Sequence, residues 1–196
     1  MLNVVIFGAP GSGKGTQSEL IINKYGLYHI STGEVLRGEI KSKTELGIIA
    51  EEYISKGQLV PDEITIKMLT NIIDTNKSSK GFIFDGFPRN LNQGEALDIL
   101  LRAKGTAITA IINLSVDEPE LIKRLLKRGE ESGRSDDNLE TINKRLEVYR
   151  TQTEPLKEFY KKQGKNISIS GTGSVDEIFS RIAEALDRIK EATSNS

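Results

Sequence analysis

The stretch Gly8-Ala9-Pro10-Gly11-Ser12-Gly13-Lys14-Gly15-Thr16 decides the fold. It follows residues 2–7, a run of strand-favouring apolar side chains, and precedes residues 17–24, where apolar side chains begin one face of a helix. A strand, a glycine-rich loop and a helix in this order are typical of a phosphate-binding loop, whose backbone N–H groups surround one anion. An ordinary tight turn with a surface lysine does not explain four glycines in nine residues. The stretch therefore predicts phosphate binding.

Two side chains of this loop have the chemistry to assist the backbone. Lys14 would reach the outer phosphates of a bound nucleotide as a compact positive charge. The Thr16 hydroxyl would lie near a Mg²⁺ ion that accompanies the phosphates. Gly15 stands between the lysine and the hydroxyl residue, which departs from the general form of the motif.

Composition limits the class of protein. The chain has 196 residues, a formal net charge of −1 and no cysteine. A length of this kind fits one domain with a substantial core, and the charge balance disfavours nucleic-acid binding. Without cysteine there is no disulfide and no cysteine-bound zinc. No apolar run has the length of a membrane span and the N-terminus has no signal-peptide pattern, so we expect a soluble cytoplasmic protein without membrane partners.

Strand-like runs alternate with helical patterns along the whole chain. This alternation predicts an α/β fold, in which a five-stranded parallel sheet lies between two layers of helices and carries the P-loop. Ligands of such sheets bind at the carboxyl ends of the strands, where the glycine-rich loop lies. The predicted strands are residues 2–7, 28–30, 81–84, 107–114 and 166–170.

A second set of polar motifs follows the next two strands. Thr32 and Arg37 come directly after residues 28–30, and the helical segment from there to residue 60 is a candidate substrate-binding subdomain. Residues 81–84 lead into Asp85, a carboxylate placed to hold Mg²⁺ directly or through water. Arg89 follows at the mouth of this strand, and Gln93 comes within about one helical turn of Arg89. His29, the only histidine, is interpreted as a structural residue.

The second half of the chain adds a basic helix and a polar loop. Arg124 and Arg128 are four residues apart and share one helix face. Residues 129–138 are interpreted as a mobile polar loop that covers the site. Pro155 breaks or restarts the helix that follows, and residues 174–177 form a capping box before the last helix.

Arginines indicate the type of chemistry. Guanidinium groups bind phosphate oxygens in a bidentate fork and stay charged, so several arginines around one pocket require an anionic load. Two phosphorylated ligands held end to end would supply it. The motifs offer no persuasive general base, and a phosphate acceptor needs none because it is already an anionic nucleophile. Six of the ten arginines lie in or beside the motifs, namely Arg37, Arg89, Arg124, Arg128, Arg134 and Arg145.

Taken together, these motifs resemble those of the adenylate kinases, within the nucleoside monophosphate kinase family. The resemblance covers nearly the whole chain, and Gly15 is part of the form that the loop takes in this family. The motifs that carry it are residues 8–16, Ser31-Thr32-Gly33 with Arg37, Gln58-Leu59-Val60, Asp85-Gly86-Phe87-Pro88-Arg89 with Gln93, Arg128-Gly129, residues 132–137, Arg145 and Ser170-Gly171-Thr172-Gly173.

The resemblance implies reversible phosphoryl transfer from Mg-ATP to AMP, giving two ADP. It implies a core of residues 1–30, 61–127 and 138–192, a monophosphate-binding subdomain of residues 31–60, a short lid of residues 128–137 without a zinc site, and a tail of residues 193–196. Two subdomains would close over the substrates and exclude water. A monomer is the family expectation.

The resemblance also assigns residues to roles. The ATP side would be formed by Gly11, Ser12, Gly13, Lys14, Gly15, Thr16, Arg124, Arg128 and Gly173. The AMP side would be formed by Thr32, Arg37, Gln58, Leu59, Val60, Gly86, Phe87, Pro88, Arg89, Gln93, Arg134 and Arg145, with Gln93 reading the adenine edge. The catalytic charges would be Lys14, Arg89, Arg128, Arg134 and Arg145, with Asp85 and Thr16 near Mg²⁺.

Two alternatives remain at this stage. A UMP/CMP kinase shares the short lid and most arginines, but members of that group typically have alanine at the position of Thr32. A nucleotide-switch GTPase or regulatory ATP-binding module is of a different class. A GTPase needs an Asn-Lys-x-Asp guanine reader, and none of the three Asn-Lys pairs is followed by aspartate at the required offset. A non-catalytic binder has no use for arginines on both sides of a transfer site.

Overall fold

The computed structural model describes residues 1–194 of the chain. Within these residues, one five-stranded sheet forms the centre of the molecule, with strand order β2-β3-β1-β4-β5 and every neighbouring pair parallel. The strands are β1 (Val4–Gly8), β2 (Tyr28–Ser31), β3 (Phe82–Asp85), β4 (Ala110–Ser115) and β5 (Asn166–Ser170). The predicted α/β class with a parallel P-loop sheet is confirmed.

Helices cover both faces of the sheet, as the near-continuous apolar sequences of the central strands require. One face packs on a cluster that includes Phe84 and Leu97, and the other on a cluster that includes Ile112 and Ile182. The helices are α1 (Lys14–Tyr25), α2 (Thr32–Lys41), α3 (Glu45–Ile54), α4 (Asp62–Thr75), α5 (Leu91–Ala103), α6 (Glu118–Ser132), α7 (Leu139–Val148), α8 (Pro155–Lys161) and α9 (Val175–Ser194). No helix in residues 1–194 has both the length and the apolar character needed to cross a membrane.

Local signals in the sequence placed several helix boundaries correctly. Ser174 and Glu177 form the predicted capping box before α9, with Ser174 N–H donating to Glu177 Oε2 (2.7 Å) and Glu177 N–H donating to Ser174 Oγ (3.2 Å). Pro155 begins α8, and a π-helical turn (Tyr149–Thr153) separates α8 from α7. The last helix includes residues 193–194, which the sequence assigned to a tail, and residues 195–196 of that tail lie outside the described part.

The interpretation of residues 129–138 as a polar loop is wrong for its first part. Helix α6 continues through residue 132 and ends at Gly133, which has the left-handed conformation (φ +64°) favoured at a helix C-terminus. The remaining turn is not wholly exposed either, because Asp136 and Asp137 are only 5% and 4% exposed. Hydrophilic sequence suggested a solvated loop, but two of these charges are buried against arginines.

Helices α2 and α3 form a small unit with its own apolar cluster. Leu36, Ala50 and Val60 are its buried members, and Tyr53 and Met68 pack against them. The cluster is separate from the two that cover the sheet. It also includes Ile64 and Met68 of α4, so it reaches beyond the helical excursion predicted for residues 31–60.

Asn3 connects the amino ends of three strands and allows a test of fold stability. It is fully buried, its Nδ2 donates to Thr106 Oγ1 and to the Ala107 carbonyl (2.9 Å each), and its Oδ1 accepts from Phe82 N–H (3.2 Å). We expect Asn3→Ala to lower the free energy of unfolding by about 2–3 kcal/mol, because it removes these bonds and leaves buried polar groups unpaired.

Urea denaturation measures this change directly. The matched control is Asn23→Ala on the exposed side of α1, for which we expect a change within about 0.5 kcal/mol. Equal midpoints for Asn3→Ala and the unmodified protein would show that the buried amide contributes nothing.

Candidate active site

Backbone conformation shapes the glycine-rich loop between β1 and α1. Gly11 and Gly13 have φ values of +84° and +94°, which side-chain-bearing residues rarely adopt, and Gly13 is the N-cap of α1. A Cβ on Gly11 would also lie 2.9 Å from Leu125 Cγ of α6. By contrast, a Cβ on Gly15 would meet nothing within 4 Å. The first turn of α1, which is the positive end of the helix dipole, is therefore open to an anion.

Lys14 lies at the start of α1 with its ammonium group folded into the loop. Its Nζ donates to the carbonyls of Gly8 (2.8 Å) and Ala9 (3.1 Å). Burial lowers the pKa of Lys14 to about 8; Asp85 opposes this shift, while Arg89 and two further arginines add to it. Lys14 is therefore held in a net cationic environment that an anion would relieve.

The loop and all six singled-out arginines line one cavity. Its volume is about 380 Å³ and it opens at the carboxyl ends of the strands, as the parallel sheet predicts. The six arginines come from five separate segments, namely α2, the loop after β3, α6, the turn after α6, and α7. The predicted site residues in its lining are Gly11, Gly13, Lys14, Gly15, Thr16, Arg37, Asp85, Gly86, Arg89, Arg124, Arg128, Arg134 and Arg145.

Asp137 organises two of these arginines, a role that the sequence analysis missed. Its fully buried carboxylate accepts from Arg128 Nε (2.6 Å) and Nη2 (2.8 Å) as a bidentate fork, and from Arg145 Nη1 (2.7 Å). Asp136 adds a second ion pair to Arg145 at 2.9 Å. Burial raises the pKa of Asp137, but the two arginines outweigh it and hold that pKa below its ordinary value. Adjacent acids beside an arginine-rich helix were the available sequence signal.

Carboxylates neutralise the charges of Arg37 and Arg134 less fully than those of Arg128 and Arg145. Burial is the main factor that lowers the pKa of each, and each is lowered further by neighbouring arginines, with Asp136 opposing the shift. The guanidinium groups of Arg37 and Arg134 are therefore repelled by other arginines of this cavity, and a bound anion would reduce that repulsion.

Arg89 lies between the large cavity and a second, smaller pocket. Its Nε donates to the Gly86 carbonyl (2.7 Å), its backbone N–H donates to Gln93 Oε1 (2.8 Å), and its carbonyl accepts from Thr153 Oγ1 (2.6 Å). Burial lowers the pKa of Arg89 to about 10, with Arg145 adding to the shift, so the guanidinium remains charged at neutral pH. Hydrogen bonds to its N–H and its carbonyl hold the Arg89 backbone in place, and this determines where the guanidinium charge lies.

The second pocket brings together most of the residues that the resemblance placed on the AMP side. Thr32 Oγ1 donates to the Gly86 carbonyl (2.8 Å), which joins α2 to the loop after β3. Arg37, Gly86, Arg89 and Arg145 line both cavities, so the two spaces adjoin. The predicted residues in the lining of the second pocket are Thr32, Arg37, Gln58, Leu59, Val60, Gly86, Phe87, Arg89, Gln93 and Arg145.

Asp85 and Thr16 line the large cavity together, and their oxygens are of the kind that Mg²⁺ prefers. Burial raises the pKa of Asp85, but His29 and Lys14 outweigh it and keep that pKa below its ordinary value. His29 Nε2 lies 3.7 Å from Asp85 Oδ2, beyond hydrogen-bond distance. No group of three or more His, Cys, Asp or Glu residues that could hold a metal occurs within residues 1–194. One carboxylate and a hydroxyl fit Mg²⁺ carried by phosphates.

Three predicted residues lie elsewhere than in these two linings. Ser12 is 1% exposed, and its hydroxyl has no hydrogen-bond partner within the described residues. Gly173 (φ +112°) faces Glu177, whose Oε2 would lie 2.7 Å from an added Cβ. Pro88 lines a smaller cavity behind the loop.

Fold and site define a P-loop α/β protein with two adjoining anion pockets, and comparison with known proteins identifies its family. The adenylate kinase family model matches residues 6–165. The chain is 63% identical to an adenylate kinase of Parabacteroides distasonis over 97% of this chain and 100% of the relative. It is 58% identical to one of Bacteroides fragilis (96% and 100%) and 51% identical to one of Porphyromonas gingivalis (98% and 100%).

The chain therefore belongs to the adenylate kinase family. Its enzyme class is that of the nucleoside monophosphate kinases, which are phosphotransferases. The resemblance inferred from the sequence motifs is confirmed.

Proposed function

We propose that the chain transfers a phosphoryl group from Mg-ATP to AMP, giving two ADP, in the two adjoining pockets of this site. The observation that carries the proposal is the convergence of six arginines and Lys14 on one cavity beside a second, arginine-lined pocket. A single triphosphate would account for the loop and Lys14. A single triphosphate would not account for Arg37, Arg89 and Arg145, each of which lines both pockets.

In this proposal the glycine-rich loop and Lys14 hold the β- and γ-phosphates of ATP, and Arg124 and Arg128 border that side. Thr32, Arg37 and the 58–60 segment hold AMP, with its phosphate directed at Arg89. The α-phosphate of AMP attacks the γ-phosphorus of ATP, the bond from that phosphorus to the β-γ bridging oxygen breaks, and ADP leaves. The charge that develops on the transferring group is distributed over Arg89, Arg134 and Arg145.

The site has the electrostatics for a phosphate acceptor. At neutral pH the attacking phosphate is an anion, so no general base has to remove a proton. Asp85 is the carboxylate in the large cavity that is held ionised, and it faces Lys14 and His29. We assign it, with Thr16, to Mg²⁺; the ion would neutralise phosphate charge when bound with ATP.

The divisions of the chain fit two moving parts around this site. The unit of α2 and α3, within residues 31–60, has a separate apolar cluster. The turn of residues 133–138 carries Arg134, which is less buried than Arg89. Closure of both would bring Arg134 and Arg37 onto bound phosphates and exclude water, which suppresses hydrolysis of ATP.

AMP is the acceptor that the chain's relatives support, since those compared above carry the name adenylate kinase. Thr32 and the buried Gln93 in the second pocket support the same choice over UMP or CMP. A nucleotide-switch or binding module has no use for charges on both sides of a transfer position.

An acceptor panel tests the proposal. Purified protein with Mg-ATP is assayed against AMP, CMP, UMP and GMP, with ADP formation followed in each case. We expect kcat/KM for AMP to exceed the others by about 10²-fold or more, the range that pocket contacts can supply. A higher value for CMP or UMP would reassign the acceptor. ATP hydrolysis independent of any acceptor would refute the kinase mechanism.

A further inference from the structure

Gln93 is held at both ends of its amide in the second pocket. Its Oε1 accepts from the Arg89 backbone N–H at 2.8 Å, and its Nε2 donates to Asp62 Oδ1 at 2.8 Å. The residue is only 2% exposed, and its own backbone N–H is capped by Asn90 Oδ1 at 2.9 Å. The side chain is therefore fixed in position before any ligand binds.

These two partners also fix which way the amide faces. The Arg89 N–H can only donate, so it selects the oxygen of Gln93, and an ionised Asp62 carboxylate can only accept, so it selects the nitrogen. Reversal of the amide would place like groups against each other at both ends. Nε2 also donates to the Thr65 hydroxyl, in a longer hydrogen bond of 3.4 Å. One acceptor lone pair on Oε1 remains for a ligand, and an acceptor on a bound base can compete with Thr65 for the second hydrogen of Nε2.

The fixed orientation of the Gln93 amide determines which purine base it can pair with. Adenine presents an amino donor at C6 beside the N1 acceptor, which matches an amide that offers an acceptor beside a donor. Guanine presents the reverse, a C6 carbonyl beside an N1–H donor. An amide free to rotate could pair with either purine, whereas an amide held in one orientation matches a 6-aminopurine and opposes a 6-oxopurine.

We propose that Asp62 is a specificity-determining positioning residue, which fixes the orientation of the Gln93 amide and thereby makes the acceptor pocket select a 6-aminopurine over a 6-oxopurine. Asp62 is partly buried at the start of α4, where it also accepts from Asn90 Nδ2 at 2.9 Å. Both donors converge on the same oxygen of Asp62. The inference rests on the proposed function and adds the residue that sets its base preference.

Asp62 has a second role that must be separated from this one. It is an acidic residue in the first turn of α4, where any carboxylate interacts favourably with the helix dipole. Glu63 occupies the same turn with an exposed side chain and has no contact with Gln93 among the hydrogen bonds of the described residues. Glu63→Ala therefore removes a comparable helix-terminal charge and serves as the matched control.

The experiment compares Asp62→Ala, Asp62→Asn and Glu63→Ala with the unmodified enzyme. For each, kcat/KM is measured with AMP and with GMP, together with the KM for ATP. We expect Asp62→Ala to lower the AMP-to-GMP ratio by about 10-fold, equivalent to one lost hydrogen bond, through a higher KM for AMP and an unchanged KM for ATP. Asp62→Asn keeps an acceptor for both donors and should retain the ratio within about 3-fold. Glu63→Ala should leave it unchanged.

Three results would overturn the inference: an unchanged ratio in Asp62→Ala, an equal loss in Glu63→Ala, or a parallel rise in the KM values for ATP and AMP. If Asp62→Ala does not fold, Asp62→Ser, which shortens the acceptor and keeps a polar residue at the start of α4, is measured with the same expectation. The proposed function is judged separately by the unmodified enzyme. If that enzyme fails to phosphorylate AMP, the function itself is wrong, whatever the variants do.

Discussion

Arg89→Ala is expected to lower kcat by about 10³- to 10⁵-fold, the range that one well-placed arginine supplies in phosphoryl transfer. The Arg89 guanidinium lies where the two pockets adjoin, and its backbone is fixed by Gln93 and Thr153. Initial rates at saturating Mg-ATP and AMP measure the loss.

Stability should hardly change in the same variant. Removal of the side chain loses one hydrogen bond to the Gly86 carbonyl, but it also relieves repulsion from Arg145 and Arg37. We expect the thermal midpoint to stay within about 3 °C, which corresponds to roughly 1 kcal/mol for a chain of this size. The control, Arg102→Ala on the exposed side of α5, should retain full activity. A large fall in the midpoint of Arg89→Ala would identify Arg89 as a structural residue.

Lys14→Met is expected to lower kcat/KM for ATP by about 10³-fold, because it removes the charge that the glycine-rich loop directs at the outer phosphates. Methionine has a similar length, so the packing at the start of α1 is preserved. Lys24→Met, near the exposed end of the same helix, is the matched control and should keep normal activity. Normal ATP kinetics in Lys14→Met would contradict the placement of ATP in the loop.

The ionisation of Lys14 adds a pH dependence with a definite sign. Its pKa is lowered from 10.5 to about 8 in the folded protein, mainly by burial. Between these values the unfolded chain binds the proton more tightly, so this group makes stability rise with pH from about 8 to 10.5. Thermal midpoints of the nucleotide-free protein and of Lys14→Met should therefore show a difference that changes in favour of the wild type across this window. A constant difference would refute the shifted ionisation.

The fold was largely predictable because its signals are local. Alternation of apolar runs with helical patterns, and the strand-loop-helix context of residues 8–16, depend on neighbours along the chain. Ser174 with Glu177 and Pro155 likewise act within one helical turn. The prediction that residues 129–138 are solvated failed at Asp136 and Asp137 because the signal there is not local. Their burial depends on arginines contributed by α6 and α7.

In the site, too, local signals could be read from the sequence and contacts between elements could not. Its arginines could be found because each follows a recognisable motif, and the parallel sheet then requires the motifs to meet at one edge. The partners that orient them are harder to find. Adjacent acids beside an arginine-rich helix were a signal for Asp137, whereas Thr153 and Asp62 come from segments with no phosphate-binding motif of their own. Side-chain hydrogen bonds across elements depend on packing, which periodicity does not encode.

Transfer of isotopic label tests directly whether a phosphoryl group passes from a donor in one pocket to an acceptor in the other. The protein is mixed with Mg²⁺, ATP labelled at the γ-phosphate and unlabelled AMP, and the products are separated within the first few per cent of reaction. We expect the label at the β-position of newly formed ADP, with two ADP produced for each ATP consumed. Label released as inorganic phosphate at a rate independent of AMP would contradict this expectation.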